Sequence, residues 1–158
     1  MIDTVGWEMM MGSGSIAMHE GRFAGLDVAW MAVDASGQLA VFTTGGEGPL
    51  PATAFASVDL VGPAIESLPE SCGYHLVADV SRPDDFVAFA KRGFFAYDWP
   101  DVHRSAFGAL RCYELQARPL RPATLMDLPA EMRLAAAATE LSGVMFGDAL
   151  IKGDAVIG

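Results

Sequence analysis

The sequence predicts an α+β fold: a single domain with a mixed or antiparallel sheet, a central β-hairpin and about three helices packed on it. Three observations lead there. Residues 26–44 read as two strands joined by a tight turn. Helix-period stripes alternate with short strand-like runs through the rest of the chain. At 158 residues, 52% hydrophobic and 19% charged, the chain has the length and apolar content for one sizeable core.

The hairpin is the clearest element. Leu26–Val33 and Leu39–Thr44 are rich in apolar, β-branched and aromatic residues, and Asp34-Ala35-Ser36-Gly37 lies between them. Asp first and Gly last suit a type I turn with Gly37 in a left-handed conformation. In the first strand Val28, Trp30 and Ala32 are apolar on one face and Ala29, Met31 and Val33 on the other. A strand apolar on both faces is covered on both. It is then central in a sheet, or one face meets another subunit.

Leu60, Val61, Ala64, Ile65 and Leu68 form one stripe of a helix over 58–68, which Gly62-Pro63 either starts or kinks. HLVADV, 75–80, reads as a short buried strand. Ser81 as N-cap, Pro83 in the first turn and Lys91-Arg92-Gly93 at the close delimit the next helix, with Phe86, Val87, Phe89 and Ala90 on its apolar face. FFAYDW, 94–99, and YELQARPL, 113–120, are strands. Asp127-Leu128-Pro129 opens a helix to Leu141, whose face is Leu134, Ala137, Ala138 and Leu141 at i, i+3, i+4, i+7. The order is ββαβαββα, with a further strand near 144–151. Residues 1–17, containing MMMGSGS, have linker-like composition and read as an N-terminal extension to a domain over 18–158.

Composition excludes several function classes. Net charge is −10, which argues against nucleic acid and anionic membrane surfaces, since both are bound by clustered Lys and Arg. The charge is uneven: residues 1–60 hold seven acids and one base, whereas 82–121 hold seven bases and five acids. An acidic front half suits a basic protein partner, or simply a solvated surface. No apolar run approaches the roughly 18 residues that span a bilayer. Asp3 and Glu8 stand where a signal peptide carries bases, and Cys72 and Cys112 lie far apart without a C-x-x-C motif. Both facts suit a cytoplasmic protein with two separate buried thiols.

The chemistry-bearing motifs are few. Gly45-Gly46-Glu47-Gly48 is followed by Pro49-Leu50-Pro51, which cannot open the helix of a phosphate loop, and Glu47 repels an anion. The glycines serve positive φ or close backbone approach. Cys112, His103 and Asp98 or Asp101 are the residue types of a nucleophilic set, but a core cysteine reads the same way. His19, His75 and His103 are isolated, without metal-ligand spacing, so neither a metal nor a cofactor is expected. The polar constellation that stands out is YDWPDVHR, with Tyr97, Asp98, Trp99, Asp101, His103 and Arg104 within eight residues. Aromatic and Arg anchors beside carboxylates make binding hot spots. Packing of Trp99 on the core, with the aspartates capping a turn, accounts for the same residues.

Two pieces carry a resemblance: VDASGQLAVFTTGGEGPLP, and GFFAYDWPDV with YELQARPLRPATLMDLP. In these the chain resembles small acidic bacterial proteins of the toxin-immunity type found in polymorphic toxin systems, over less than half of its length. The resemblance implies a cytoplasmic, non-catalytic protein that binds and blocks a cognate toxin, a basic one given the acidic front half. It transfers no functional residue. The candidate contact surface is Gly45–Gly48 with the Tyr97–Arg104 segment. Two other functions remain open. One is a small-ligand binder or enzyme with an apolar pocket where Trp30, Phe42 and the helix aromatics meet. The other is a scaffold dimerising through the hairpin's second face.

Overall fold

A computed structural model of the protein describes residues 23–78, 82–100 and 111–157. The N-terminal extension, the Ser81 cap and the end of the 75–80 segment lie outside the described residues. The fold is α+β, one domain; among the described residues a seven-stranded mixed sheet carries four helices.

The hairpin pairs β1 (Ala29–Asp34) with β2 (Leu39–Thr43), antiparallel, Trp30 opposite Phe42 and Met31 opposite Val41. Its turn is the expected one: Gly37 has φ 89° and its N–H donates to the Asp34 carbonyl at 3.1 Å. Asp34 is almost fully buried. Its carboxylate accepts from the Ser36 and Gln38 N–H groups, the Ser36 hydroxyl, the Gln38 side-chain amide and the Phe146 N–H, which ties the turn to the chain's last quarter. Burial alone raises this carboxyl's pKa. The bond from Phe146 and those from Gln38 and Ser36 outweigh that and hold it below the ordinary value.

A 3₁₀ turn at Ala52–Ala54 leads into α1 (Phe55–Glu66). The helix starts earlier than its stripe suggests and runs through Pro63. Gly62 and Pro63 both lie on the exposed side while Val61 and Ile65 are buried. Gly62 has no Cβ to press against the proline ring, which is the contact that normally bars a helical residue before proline. The edge strand β3 (Tyr74–Leu76) is shorter than expected and exposed at all three residues, not buried. It lies on the rim of the sheet, paired on one side only, with β5.

Helix α2 (Asp84–Lys91) ends as its sequence indicates, with Gly93 at φ 93°. β4 (Phe95–Asp98) runs parallel to β2, and β5 (Cys112–Pro119) antiparallel to β4 with a register shift between Ala96 and Tyr97. A 3₁₀ turn at Leu125–Asp127, closed by a reciprocal Thr124–Asp127 capping box, precedes α3 (Ala130–Ala137). The helix is shorter than expected, and rotated. Leu134 is 74% exposed, while Met132, Ala135 and Ala136 are buried. The alanine-rich sequence offers two competing stripes, and the one that lets Ala136 approach the sheet is the one used. Beyond it come β6 (Glu140–Leu141), β7 (Leu150–Lys152) and α4 (Gly153–Ile157). The strand expected at 144–151 therefore sits later, and the order gains β6 and α4.

The sheet order is β3-β5-β4-β2-β1-β6, with β7 also pairing β5. β3 takes residues 117–119 of β5 and β7 takes 112–114. β6 runs parallel to β1 from Val33 onward, and nearer the start of β1 the Met31 N–H donates to the Ser57 hydroxyl of α1 at 3.0 Å.

Both faces of the hairpin are covered by the chain itself. Met31, Val33, Leu39 and Val41 pack under α1 and α3. Trp30 and Phe42 pack with Tyr97, Tyr113 and Phe146 on the other face, Trp30 stacked on Phe42 at 4.2 Å and Phe42 on Tyr97 at 5.2 Å. The place expected to hold an apolar pocket is thus filled core, with Trp30 and Phe42 fully buried. The hairpin offers no bare apolar face to a second copy. Among the described residues no helix is long and apolar enough to cross a membrane.

Candidate functional site

The glycine loop after β2 is held by its backbone N–H groups, which bond to Thr44 and Asp27. Glu47 and Gly48 donate to the Thr44 carbonyl at 3.1 and 2.7 Å, Gly46 to the Thr44 hydroxyl at 3.3 Å, and Gly45 to the Asp27 carboxylate at 2.9 Å. Gly45 and Gly46 take φ values of 59° and 87°, a region open to glycine. All four loop N–H groups are therefore engaged, and none is aimed outward at an anion. The phosphate reading fails on geometry as it does on sequence.

Gly48 is at the point of closest approach. A Cβ there would lie 2.6 Å from the Tyr113 hydroxyl, 2.9 Å from Trp99 Cβ and 3.0 Å from the Thr44 carbonyl oxygen. Trp99 follows β4, its N–H donating to the Thr43 carbonyl at 3.0 Å, and its ring meets Tyr113 edge-on at 5.0 Å. The far edge of the indole rests on a second glycine: a Cβ on Gly153 would be 3.0 Å from Trp99 Cη2. Trp99 thus spans from the loop to the β7–α4 junction, pinned at each end by a glycine. Tyr113 ties the arrangement to the core, donating to the Pro49 carbonyl at 2.8 Å while accepting from the Trp30 indole N–H at 3.3 Å. Burial drives its phenol pKa well up, so it stays a donor at any ordinary pH.

Over Trp99 opens a cleft of about 650 Å³. Among the described residues its loop wall is Glu47 and Pro49, and its far wall Arg111, Cys112 and Lys152, with Gly153, Asp154 and Ile157 from α4. Arg111 has φ 63°, uncommon for a residue with a side chain, and its carbonyl accepts the Gly153 N–H at 2.9 Å. A second cleft, of about 290 Å³, lies on the loop's other side, lined by Phe23, Leu26, Gly46, Glu47, Gly48 and Phe55 among others.

Of the residues singled out in the sequence, the structure brings Gly45, Gly46, Glu47 and Gly48 together with Trp99. Glu47 is exposed. Tyr97 is fully buried, donating its hydroxyl to the Asp148 carbonyl at 2.8 Å and accepting from the Gly147 N–H at 3.0 Å. Asp98 is buried and accepts from the Thr43 hydroxyl at 2.7 Å, on the strand position opposite Glu114. Asp101, His103 and Arg104 lie outside the described residues, as do His19 and any Cys112–His103 pairing. Cys72 and Cys112 are free thiols, half-buried rather than buried. Sequence reasoning missed Pro49, Arg111, Lys152, Asp154 and Ile157 as neighbours of the loop. Lys152-Gly153-Asp154 flanks a glycine in the same manner as the loop, but no local pattern links it to Trp99.

Comparison of the chain with protein-family models, with curated proteins and with solved structures returned no match in any of the three.

Proposed function

We propose that the chain is a non-catalytic binding protein of the immunity type, which acts in the cytoplasm and neutralises a toxin by gripping it at the Glu47 loop and Trp99. One observation carries this reading. Two segments separated by half the sheet converge on one open cleft whose aromatic floor is fixed by two glycines and a Tyr113–Pro49 hydrogen bond. A rigid, half-exposed Trp beside charged groups at a cleft is what a hot spot consists of.

The test is a growth assay. The product of the reading frame adjacent to this one is expressed in a bacterial host, alone and with this chain. Killing by the neighbour, rescue by the wild-type chain and weaker rescue by Glu47→Lys are expected. A harmless neighbour, or one that kills regardless, refutes the immunity role.

A second reading is favoured by size: the cleft falls in the range of roughly 300–1,000 Å³ typical of small-molecule sites. In that case a thermal-shift screen returns a stabilising small molecule whose effect is lost in Trp99→Ala.

A further inference from the structure

The glycine loop has a cleft on each side, and Glu47 lines both. The loop is therefore a ridge with Glu47 on its crest. Each cleft exposes a large apolar side chain: Ile157, 65% exposed, in one, and Leu26, 54% exposed, in the other. The ridge is acidic, because Asp27, exposed and bonded to the Gly45 N–H, adds its charge to that of Glu47. Among the described residues on the far wall of the larger cleft, Asp154 offsets part of the charge of Arg111 and Lys152, whereas the two acids at the ridge have no base beside them in either lining but these.

We propose that this ridge is a docking surface for an extended segment of a partner protein, carrying one Lys or Arg between two apolar side chains. The base lies over Glu47 and one anchor drops into each cleft. The inference rests on the binding-protein reading and adds the chemistry of what is bound. A small molecule occupies one cleft and leaves the other idle, whereas a chain crossing the ridge uses both. The ridge's order is already set by the four engaged N–H groups and the wedge at Gly48, so little is lost in ordering it on binding. An acid on the crest also disfavours acidic segments, which gives the surface its selectivity.

The test is selection of a random linear peptide library on the full chain. Enriched peptides are expected to carry a Lys or Arg flanked by apolar residues. Their affinity falls about tenfold in Glu47→Lys and severalfold in Leu26→Asp or Ile157→Asp. Leu134→Asp, the same kind of change at an exposed position in neither cleft, leaves affinity as it was. A selection that enriches nothing, peptides without the base, or equal binding by Glu47→Lys and the two Asp variants overturns the proposal. The outcome is separable from that of the toxin assay. Peptides that behave as expected beside a failed rescue leave the ridge standing without a toxin, and rescue that survives all three substitutions leaves a toxin bound elsewhere.

Discussion

Gly48 and Asp34 show how single residues hold this molecule. Replacing Gly48 with Ala puts a methyl inside van der Waals distance of Tyr113 and Trp99 and against the Thr44 carbonyl oxygen. The loop or Trp99 has to give way, at a cost of about 1–3 kcal/mol, readable as a lower urea midpoint and a shifted Trp emission. Asp34 acts through charge. In Asp34→Asn a donor replaces one of the carboxylate oxygens that Gln38 and Phe146 now address, and urea denaturation at pH 7 should show a loss of about 2 kcal/mol. The sign of the pH dependence follows from the lowered pKa. The folded carboxyl titrates below its unfolded value of about 3.9, so its contribution is full above that pH and fades as pH falls through the folded pKa. The gap between wild type and Asp34→Asn should therefore close toward the acid limit, and a gap that stays constant would contradict this account. The turn chemistry of Asp34 and Gly37 was legible in the sequence because it is local. The neighbours of Gly48 were not, since Trp99 and Tyr113 are distant in the chain and nothing in GGEGP names them.

At the scale of elements, α3 separates pattern from packing. The sequence offers Leu134, Ala137, Ala138 and Leu141 as the buried face; of these Leu141 is buried, but in β6 beyond the helix, and the sheet meets Met132, Ala135 and Ala136. Ala136→Leu is accordingly expected to destabilise by about 1–3 kcal/mol, and Leu134→Ala to stay within about 0.5 kcal/mol of wild type, both by urea denaturation. The reverse ranking would restore the face read from the sequence. Helix α1 carries a related lesson. Gly62-Pro63 reads as an interruption, but both residues lie on the solvent side, where a carbonyl that loses its donor to the proline is cheapest to leave to water. The strongly signposted hairpin, α2, β4 and β5 were all visible from composition and turn residues. β6, with two residues, is too short to show a period, and β3, read as a buried strand over 75–80, is a three-residue exposed one at Tyr74–Leu76.

For the whole molecule, coverage of both hairpin faces by α1, α3 and the 144–157 region predicts a monomer in dilute solution by light scattering, with a melting temperature independent of protein concentration. A dimer would have to use another surface. The wiring of the sheet has a consequence for how the protein is made. Strands β6 and β7 sit on opposite sides of the sheet, one on β1 and the other on β5, and both are contributed by residues 140–152. A ribosome therefore delivers every other strand before either of these, and until it does, part of β1 and the first half of β5 wait with unpaired backbone. Such margins invite pairing with other nascent chains. The protein should be most vulnerable to misassembly in the interval before residues 140–152 emerge, and a chain halted after residue 138 should partition into the insoluble fraction or remain on a chaperone, while the 158-residue chain folds.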